Sequence, residues 1–347
     1  MLGNTMALSD ILAKLIASED LSETEMAFAM ERVMTGQATP AQIGGLLVAL
    51  RMKGETIEEI TAAAKVMRKL ATPVTVQASP IIDTCGTGGD GANLFNVSTA
   101  SAFVVAAAGA HVAKHGNRSV SSSTGSADLL ECAGVNVNMT PDKVARAIDS
   151  LGIGFMFAPA HHGAMKHAIG PRKELALRTI FNVLGPLTNP AGAKRQVIGV
   201  FDRSLCEPIA RVLGRLGSER ALVVHADDGL DEFSIAAQTY VAELADNGQV
   251  NCYSLAPEDV GIARQGLDGL SVTSAEQSLA LIRAAYAGEK TDVAQRAAAM
   301  IALNAGAAIY VAGLARTIKD GVAMAQDALS TGAAAEKLQN LIEFSQL

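Results

Sequence analysis

Apolar residues recur at helical spacing along the N-terminal part of the chain, up to Leu70. The repeat is clearest at positions that would form one stripe per helix: Leu47, Leu50, Ile57, Ile60, Ala64 and Met67. A stripe with this period is typical of an amphipathic helix whose apolar side packs on a neighbour. Because short amphipathic helices need such a neighbour, we expect this stretch to form a helical subdomain and also an oligomer interface.

Three helix starts carry the same local signal, a hydroxyl residue followed three positions later by Glu or Gln. The signal occurs at Ser22–Glu25, Thr39–Gln42 and Thr56–Glu59. In such a capping box the hydroxyl accepts a hydrogen bond from the third helical amide, and the Glu or Gln bonds back to the amide of the capping residue. Pro40 follows the second hydroxyl, at the first helical position, where its missing N–H costs nothing. The sequence therefore predicts three helices that begin at these points.

After Pro73 the pattern changes to short β-prone runs that alternate with helical stretches. The predicted strands are Pro80–Asp83, Val135–Val137, Phe155–Phe157, Gln196–Val200 and Ala221–Val224. The predicted helices are Ser98–Ala108, Pro141–Ser150 and Leu205–Leu216. Two further β-prone runs predict a hairpin around Asp246-Asn247-Gly248, and they are Gln238–Leu244 and Val250–Leu255. Strands and helices in alternation predict βαβ units and a mostly parallel sheet.

Together the two patterns predict an α/β fold class, with an N-terminal helical domain and a larger α/β domain built on a mostly parallel central sheet. We expect the helical domain over residues 1–72 and the α/β domain over residues 73–347. Helix-forming sequence from about 161 to 184 interrupts the second pattern and is expected to join the helical domain. The length agrees, because 347 residues correspond to about two domains.

Composition narrows the class of protein. The chain carries 28 Lys and Arg against 35 Asp and Glu, and a net charge of −7 disfavours bulk attraction to nucleic acid. Its apolar runs are shorter than the ~18 residues of a membrane helix, and Met1–Asn4 does not begin an export signal. Four cysteines without short-range pairing favour neither a disulfide framework nor a zinc site. We therefore expect a cytoplasmic protein without a membrane or nucleic-acid partner.

A glycine-rich turn, Gly86–Gly91, stands between a predicted strand and a predicted helix. Its four glycines let main-chain N–H groups point at one anion, and the helix near Ser98 adds the positive end of its dipole. The letters also fit the dinucleotide pattern G-x-G-x-x-G, but no acidic residue lies between Asp90 and Asp128 to hold a ribose. The turn therefore indicates phosphate binding, with a purely structural tight turn as the alternative.

The stretch without acidic residues holds a second set of anion-binding groups. Asn96, Ser98 and Thr99 come first, and the run Lys114–Ser126 then supplies cations, hydroxyls and glycine amides. These groups suit a heavily charged phosphate. Two such loops after neighbouring strands predict a ligand with phosphates at more than one end, although the hydroxyl run alone also fits an ordinary solvated loop. The sequence contains no P-loop motif, which excludes a P-loop nucleotide enzyme.

An acidic segment, Asp227–Phe233, follows the predicted strand Ala221–Val224. Carboxylates beside phosphate sites are typical of Mg²⁺, which is held by one or two carboxylates together with ligand oxygens and water. A solvated acidic turn is the alternative, and the spacing does not fit a calcium loop.

Five motifs, taken in order, resemble the anthranilate phosphoribosyltransferase family. They are Gly86–Gly91, Asn96–Thr99, Lys114–Arg118, Gly185–Pro190 and Leu230–Glu232. The resemblance runs essentially end to end. It implies a bacterial enzyme of tryptophan biosynthesis that transfers the 5-phosphoribosyl group of phosphoribosyl pyrophosphate (PRPP) to the amine of anthranilate, releasing pyrophosphate. It also implies Mg²⁺ as cofactor, with two ions, and a homodimer that contacts through its helical domains.

The resemblance assigns site residues by position. It implies that PRPP is surrounded by Gly86, Gly89, Asp90, Leu94, Asn96, Val97, Ser98, Thr99, Lys114, His115, Gly116, Asn117, Arg118, Ser119, Val120, Ser121, Ser122 and Ser126. Anthranilate would contact Gly86, Asn117 and Arg172, and Mg²⁺ would involve Ser98, Asp231 and Glu232. Leu94 stands where Thr is frequent in the family, and its side chain offers no hydrogen bond. The residue type of Arg172 also supports its role without the resemblance, because a planar, positively charged guanidinium suits a carboxylate.

Several interpretations stay open at this point. His115 either assists proton removal or only shapes a glycine turn, whereas Cys85 lacks the positive neighbour that a nucleophilic thiol needs. His161, His162 and His167 have no metal-binding spacing and are expected near the substrate entrance. The alternatives to the transferase are a pyrimidine nucleoside phosphorylase-like enzyme and a non-catalytic nucleic-acid-binding relative of the same fold.

Overall fold

The computed structural model describes residues 6–119 and 123–347. Contacts between residues divide the chain into two compact units. The helical unit comprises residues 1–72 and 161–188, and the α/β unit comprises residues 73–160 and 189–347. The chain therefore leaves the α/β unit once, adds helices to the helical unit, and returns.

The described residues form fifteen α-helices and seven β-strands. The helices are α1 (Leu8–Ile16), α2 (Glu23–Met34), α3 (Pro40–Lys53), α4 (Ile57–Leu70), α5 (Val97–Ala107), α6 (Ser126–Ala133), α7 (Pro141–Leu151), α8 (Ala158–His161), α9 (Lys166–Leu175), α10 (Ile180–Leu184), α11 (Cys206–Arg215), α12 (Ala275–Tyr286), α13 (Asp292–Ala312), α14 (Ile318–Ser330) and α15 (Ala333–Gln346). The strands are β1 (Ile81–Gly86), β2 (His111–Gly116), β3 (Ile153–Phe157), β4 (Arg195–Gly199), β5 (Arg220–Ala226), β6 (Thr239–Leu244) and β7 (Val250–Leu255).

The helical unit begins its helices where the sequence predicts. Ser22, Thr39 and Thr56 each accept a hydrogen bond from the amide three residues on, and each of the three predicted capping boxes is complete. In this unit α2 packs on α4, and α3 packs on α1 and α9. Most of the predicted stripe is buried, including Leu47, Leu50, Ile60, Ala64 and Met67, whereas Ile57 is half-buried. The stripe therefore forms the core of this unit.

The α/β unit is built on one seven-stranded sheet in the order β3-β2-β1-β4-β5-β6-β7. Neighbouring strands from β3 to β5 run parallel, and β6 and β7 add the antiparallel hairpin that the sequence predicts. Helix α13, buried along most of its length, packs on α5, α12 and α14. The sheet is mostly parallel, so the carboxyl ends of β1, β2, β4 and β5 share one edge, where ligands bind in folds of this kind.

Two strand assignments differ from the sequence prediction. Val135–Val137 is not a strand: Val135 N donates to Leu130 O at the end of α6, and Asn136 N donates to Ser345 Oγ. These bonds satisfy the segment without a partner strand, while Val135 and Val137 are buried in the core. Conversely, β2 extends to Gly116, so Lys114 and His115 belong to a strand and not to a loop.

In the described part of the chain, none of the helices combines the length and the apolar character needed to cross a membrane.

Candidate functional site

The glycine turn begins where β1 ends. Gly88, Gly89 and Gly91 have φ angles of 65°, 84° and 77°, a left-handed backbone that glycine adopts without strain. Thr87 N donates to Gly199 O over 2.8 Å, and Asp90 Oδ1 accepts from Ala92 N over 3.1 Å. The turn is therefore fixed at both ends by the α/β unit itself.

Helix α5 starts directly beside this turn. Its capping residue Asn96 is held by Ser278, whose Oγ accepts from Asn96 N over 3.0 Å and donates to Asn96 Oδ1 over 2.7 Å. Ser98 O accepts a hydrogen bond from Thr84 Oγ1 over 3.1 Å, which joins the helix to β1. The side chains of Val97 and Thr99 are buried, so Val97 can offer a ligand only its main chain. The positive dipole end of this helix suits an anion.

Lys114 reaches from β2 toward the same helix end. Its side chain is only 2 % exposed, and its Nζ donates to Thr84 O and, over 3.4 Å, to Ser98 Oγ. Burial lowers the pKa of Lys114, and the charges of Asp83 and Glu232 oppose that lowering. The arrangement places one buried cation next to the start of α5.

Asp231 and Glu232 face this group from the loop after β5. Asp231 Oδ2 accepts from Gly88 N over 2.8 Å, and Glu232 accepts a hydrogen bond from the main chain of Ser98. Burial and the charge of Asp90 raise the pKa of Asp231 to about 7, and burial and the charge of Asp231 raise the pKa of Glu232 well above its ordinary value. Carboxylates crowded in this way attract a cation.

Two glycines make room for this acidic loop. A methyl group at Gly86 would stand 2.6 Å from Asp231 Oδ2, and one at Gly199 would stand 1.5 Å from Asp231 O. The other two carboxylates of the predicted acidic segment, those of Asp227 and Asp228, contact different residues. Asp228 accepts from Ser234 Oγ over 2.5 Å, and Asp227 lies 3.8 Å from Arg203. The structure thus separates Asp231 and Glu232 from their acidic neighbours.

The second anion loop leaves β2 and closes on its own backbone. A methyl group at Gly125 would lie 2.4 Å from Ser119 N, and Asp128 Oδ2 accepts from both Ser119 N and Gly125 N. Asn93, which the sequence analysis does not single out, accepts from Ser123 N over 3.0 Å and so ties this loop to the first. Val120, Ser121 and Ser122, predicted to contact PRPP, lie outside the described residues.

Other predicted PRPP residues are engaged with protein groups. Arg118 pairs with Glu131 over 2.5 Å and lies 4.7 Å from the ring centroid of Phe157. Ser126 lies against Gly116, where an added methyl group would stand 2.9 Å from Ser126 Cβ. Leu94 forms an isolated β-bridge with Ser271 and packs its side chain against the core. Asn117 is exposed, with its Oδ1 accepting from Arg118 N over 2.8 Å.

His115 and Cys85 occupy strands. His115 follows Lys114 in β2 and is buried, so the sequence interpretation of a histidine in a glycine turn is wrong about its location. Because side chains alternate along a strand, His115 and Lys114 point to opposite faces of the sheet. Burial raises the pKa of the Cys85 thiol well above its ordinary value, which disfavours a nucleophilic thiolate.

Arg172 belongs to the helical unit, in α9. Its guanidinium lies 5.1 Å from the ring centroid of Phe181, and burial lowers its pKa. In the same unit His161 Nδ1 lies 3.1 Å from Thr72 O, and burial lowers the pKa of His162 to about 4. Across residues 6–119 and 123–347 no cluster of three or more His, Cys, Asp or Glu side chains is arranged to hold a metal by itself.

Sequence reasoning missed two buried polar residues beneath the site, Asp83 and Asn189. Asp83 is 0 % and Asn189 4 % exposed, and Asn189 Nδ2 donates to Asp83 Oδ2 over 2.8 Å. The signal was present, since an Asp stands in the otherwise apolar start of β1 and Asn189 belongs to one of the quoted motifs.

Comparison with known proteins identifies the family of the chain. Residues 9–71 match the glycosyl transferase family, helical bundle domain, and residues 78–335 match the glycosyl transferase family, a/b domain. The anthranilate phosphoribosyltransferases of Teredinibacter turnerae and Saccharophagus degradans are each 69% identical over 342 residues, which cover 99% of this chain and 100% of theirs.

Solved structures give the same result. The crystal structure of anthranilate phosphoribosyltransferase from Thermus thermophilus matches with a TM-score of 0.91 and 44% identity, over 97% of this chain and 100% of that chain. The Saccharomyces cerevisiae enzyme in complex with PRPP and Mg matches with a TM-score of 0.88 and 25% identity, over 98% of both chains. The predicted fold class, a helical domain plus an α/β domain with a mostly parallel sheet, is confirmed. The chain belongs to the anthranilate phosphoribosyltransferase family.

Proposed function

We propose that this chain transfers the 5-phosphoribosyl group of PRPP to the amine of anthranilate, giving N-(5-phosphoribosyl)anthranilate and pyrophosphate in tryptophan biosynthesis. One observation carries the proposal. In a chain 69% identical to curated anthranilate phosphoribosyltransferases over nearly its whole length, a glycine turn, a helix start, a buried lysine and two carboxylates converge at one sheet edge. The names of the relatives favour this transferase over a nucleoside phosphorylase or a nucleic-acid-binding protein.

PRPP would bind along this edge. The glycine turn Gly86–Gly91 and the positive dipole end of α5 are suited to the negative charge of the pyrophosphate. The loop from Asn117 to Ser126 would take the 5-phosphate. Lys114 would supply positive charge through Ser98 at the base of the site, since its Nζ is buried. The remaining predicted contacts, those of Arg118, Ser119 and Ser126 among them, belong to this second loop.

Asp231, Glu232 and Ser98 would hold Mg²⁺, and their oxygen atoms are the hard ligands that this ion prefers. Burial and neighbouring carboxylates raise the pKa values of both groups, and a bound cation would relieve the repulsion among these carboxylates. Asp231 bonds to the glycine turn and Glu232 to the start of α5, which supports two separate ions. When bound, the metal would neutralise part of the charge on the pyrophosphate.

Anthranilate would bind through its carboxylate and ring. Arg172 is a candidate for the carboxylate, because its fork donates two parallel hydrogen bonds and its partial burial strengthens them. Asn117 has an exposed amide that suits the substrate's polar groups, and Gly86 is the third residue assigned to anthranilate.

The reaction breaks the bond between the anomeric carbon and the pyrophosphate oxygen and forms a bond from that carbon to the amine nitrogen, which then loses a proton. Positive charge that develops on the ribose would be stabilised by nearby oxygen atoms. The main work of the chain is to position both substrates and to stabilise the leaving pyrophosphate. His115 lies in β2 on the face opposite Lys114, and its part in removing the proton remains a hypothesis.

A single assay tests the function. Anthranilate is fluorescent, and its signal should decay only when enzyme, PRPP and Mg²⁺ are all present. Consumption that proceeds equally with ribose 1-phosphate in place of PRPP would instead indicate a phosphorylase, and absence of consumption with all components would refute the proposal.

We further propose a homodimer that forms through the helical units. Four large apolar side chains on this unit are 44% to 83% exposed: Ile16, Met52, Ile169 and Leu177. Burial of such side chains in an interface is favourable. Ile16→Glu with Met52→Glu should shift the sedimentation coefficient from dimer to monomer, whereas Leu314→Glu, on the α/β unit, should not. A monomeric native protein would contradict the interface.

The four cysteines are all free, which suits the reducing cytoplasm where we place the enzyme.

A further inference from the structure

Strands β1 and β2 part before they end. Their register runs only from Ile81↔His111 to Ile82↔Val112. On its other side β1 stays paired with β4 as far as Gly86↔Gly199, and β2 stays paired with β3 as far as Gly116↔Phe157. The sheet therefore opens between β1 and β2, just below the points where the two anion loops leave.

Side chains fill this opening. His115 N donates to Asp83 Oδ1 over 3.1 Å, Ala113 O accepts from Asn189 Nδ2 over 2.8 Å, and Thr84 O accepts from Lys114 Nζ. Buried main-chain groups need hydrogen-bond partners. Here three of them, which face the gap between the strands, take partners from side chains.

Asp83 and Asn189 are complementary hydrogen-bonding partners. A side-chain amide has two N–H donors and one acceptor oxygen. The two donors of Asn189 serve Asp83 Oδ2 and Ala113 O, and its Oδ1 accepts from Ala191 N over 2.9 Å.

We propose that Asp83 and Asn189 are a positioning pair, which holds the carboxyl ends of β1 and β2 apart and so fixes Lys114 and both anion loops for PRPP. Neither residue touches the substrate. This inference rests on the proposed function, since it assigns PRPP to that edge. Loss of the pair should let the strands close or shift, and should displace Lys114 with them.

The direct test is PRPP binding, measured by calorimetry with Mg²⁺ and without anthranilate. Asp83→Asn should raise the dissociation constant for PRPP at least tenfold, while the KM for anthranilate at saturating PRPP changes less than threefold. Asp149→Asn is the matched control, because Asp149 Oδ1 also accepts main-chain bonds, from Gln77 and Ala78, away from the site. The control should bind PRPP within twofold of the native protein.

Exchange of the two groups tests the pairing. Asn189→Asp alone places two carboxylates together and should also weaken PRPP binding at least tenfold. The double variant Asp83→Asn with Asn189→Asp restores one carboxylate and one amide, and should bind PRPP at least threefold more tightly than either single variant. Additive losses in the double variant would overturn the pairing.

A merely structural role would lower the melting temperature and leave PRPP affinity within twofold, which would also overturn the proposal. If Asp83→Asn does not fold, Asn189→Ser decides: it keeps every charge, loses the amide bond to Asp83, and should weaken PRPP binding at least fivefold. Native protein that binds PRPP but does not convert anthranilate would refute the proposed function alone, and native protein that does not bind PRPP would refute both.

Discussion

Among single residues, Arg172 is the one assigned to the anthranilate carboxylate. Its replacement by Ala should raise the KM for anthranilate by about 10- to 150-fold, because a charged hydrogen bond is worth roughly 1.5–3 kcal/mol. The KM for PRPP should stay within twofold, since this arginine is not assigned to a phosphate. Steady-state kinetics with each substrate varied in turn gives both values.

Lys173→Ala is the matched control for this prediction, because Lys173 is the adjacent cation in α9 and is exposed. It should leave both KM values near native. Arg172→Lys keeps the charge but loses the fork, and should recover only part of the affinity. A rise in the KM for PRPP with Arg172→Ala would mean that the assignment is wrong.

Asp231 and Glu232 are the two residues on which metal-dependent turnover should depend. Asp231→Asn with Glu232→Gln should lower kcat by several orders of magnitude at saturating PRPP and Mg²⁺, because a neutral pair no longer holds the cation. Circular dichroism should report an intact fold. Asp227→Asn with Asp228→Asn removes two charges from the same loop, where these groups bond Arg203 and Ser234, and should leave kcat within threefold. Near-native kcat in the first variant would exclude the metal role.

Residue types and local spacing singled out Lys114 and the acidic segment Asp227–Phe233, and the family resemblance then assigned Asp231 and Glu232 to the metal. Their grouping with Ser98 depends on which strands are neighbours, and the structure supplies it. The bond of Asp83 to Asn189 joins residues 106 positions apart, which no local pattern indicates. The ion pair of Arg118 with Glu131 joins residues 13 positions apart, and no local pattern in the sequence indicates it.

At the scale of elements, the end of β4 sets the position of the acidic loop. Gly199→Ala would place a methyl group 1.5 Å from Asp231 O, a main-chain atom that cannot move away on its own. We expect a loss of at least ~3 kcal/mol in the free energy of unfolding, above the usual range for overpacking, together with weakened PRPP binding. Gly214→Ala, which meets only the flexible end of Leu244 at 3.3 Å, should change stability by less than ~1 kcal/mol. Urea unfolding of both variants compares them, and equal stabilities would contradict the close approach.

Elements with strong local signals could be predicted, and the others could not. The three capping boxes lie within four residues each, so the sequence alone predicts where α2, α3 and α4 begin. Strand β2 contains the polar residues Lys114 and His115, so its sequence does not resemble that of a buried strand. Both residues are hydrogen-bonded to the neighbouring strand β1, Lys114 to Thr84 and His115 to Asp83, and these partners cannot be read from the sequence. Val135–Val137 has the β-prone alternation of a strand, but its amides bond to Leu130 and Ser345.

At the scale of the whole molecule, acid acts on the helical unit through two groups, Glu25 and His162. In the helical unit, the hydrogen bond from Lys14 and the cap of Ser22 lower the pKa of Glu25 to about 2. Burial lowers the pKa of His162 to about 4, below its ordinary value near 6.5. Both groups bind protons more readily in the unfolded chain, so stability that is present above the ordinary pKa is lost as pH falls toward the folded value.

The helical unit should therefore lose stability on acidification in two windows, first from about pH 6.5 to 4 through His162, and then from about pH 4.5 to 2 through Glu25. The first loss should reach roughly 3 kcal/mol, at 1.36 kcal/mol per pKa unit. Thermal unfolding followed by circular dichroism between pH 7.5 and 4 measures it.

His162→Gln cannot take up the proton, so the difference in melting temperature between native and variant protein should shrink or reverse as pH falls through this window. Lys14→Met removes the largest cause of the low pKa of Glu25, so it should destabilise the unit at neutral pH and lose that effect as pH falls below about 4.5. A native melting temperature that is flat from pH 7 to 4, in parallel with that of His162→Gln, would show that the buried imidazole does not control the stability of this unit.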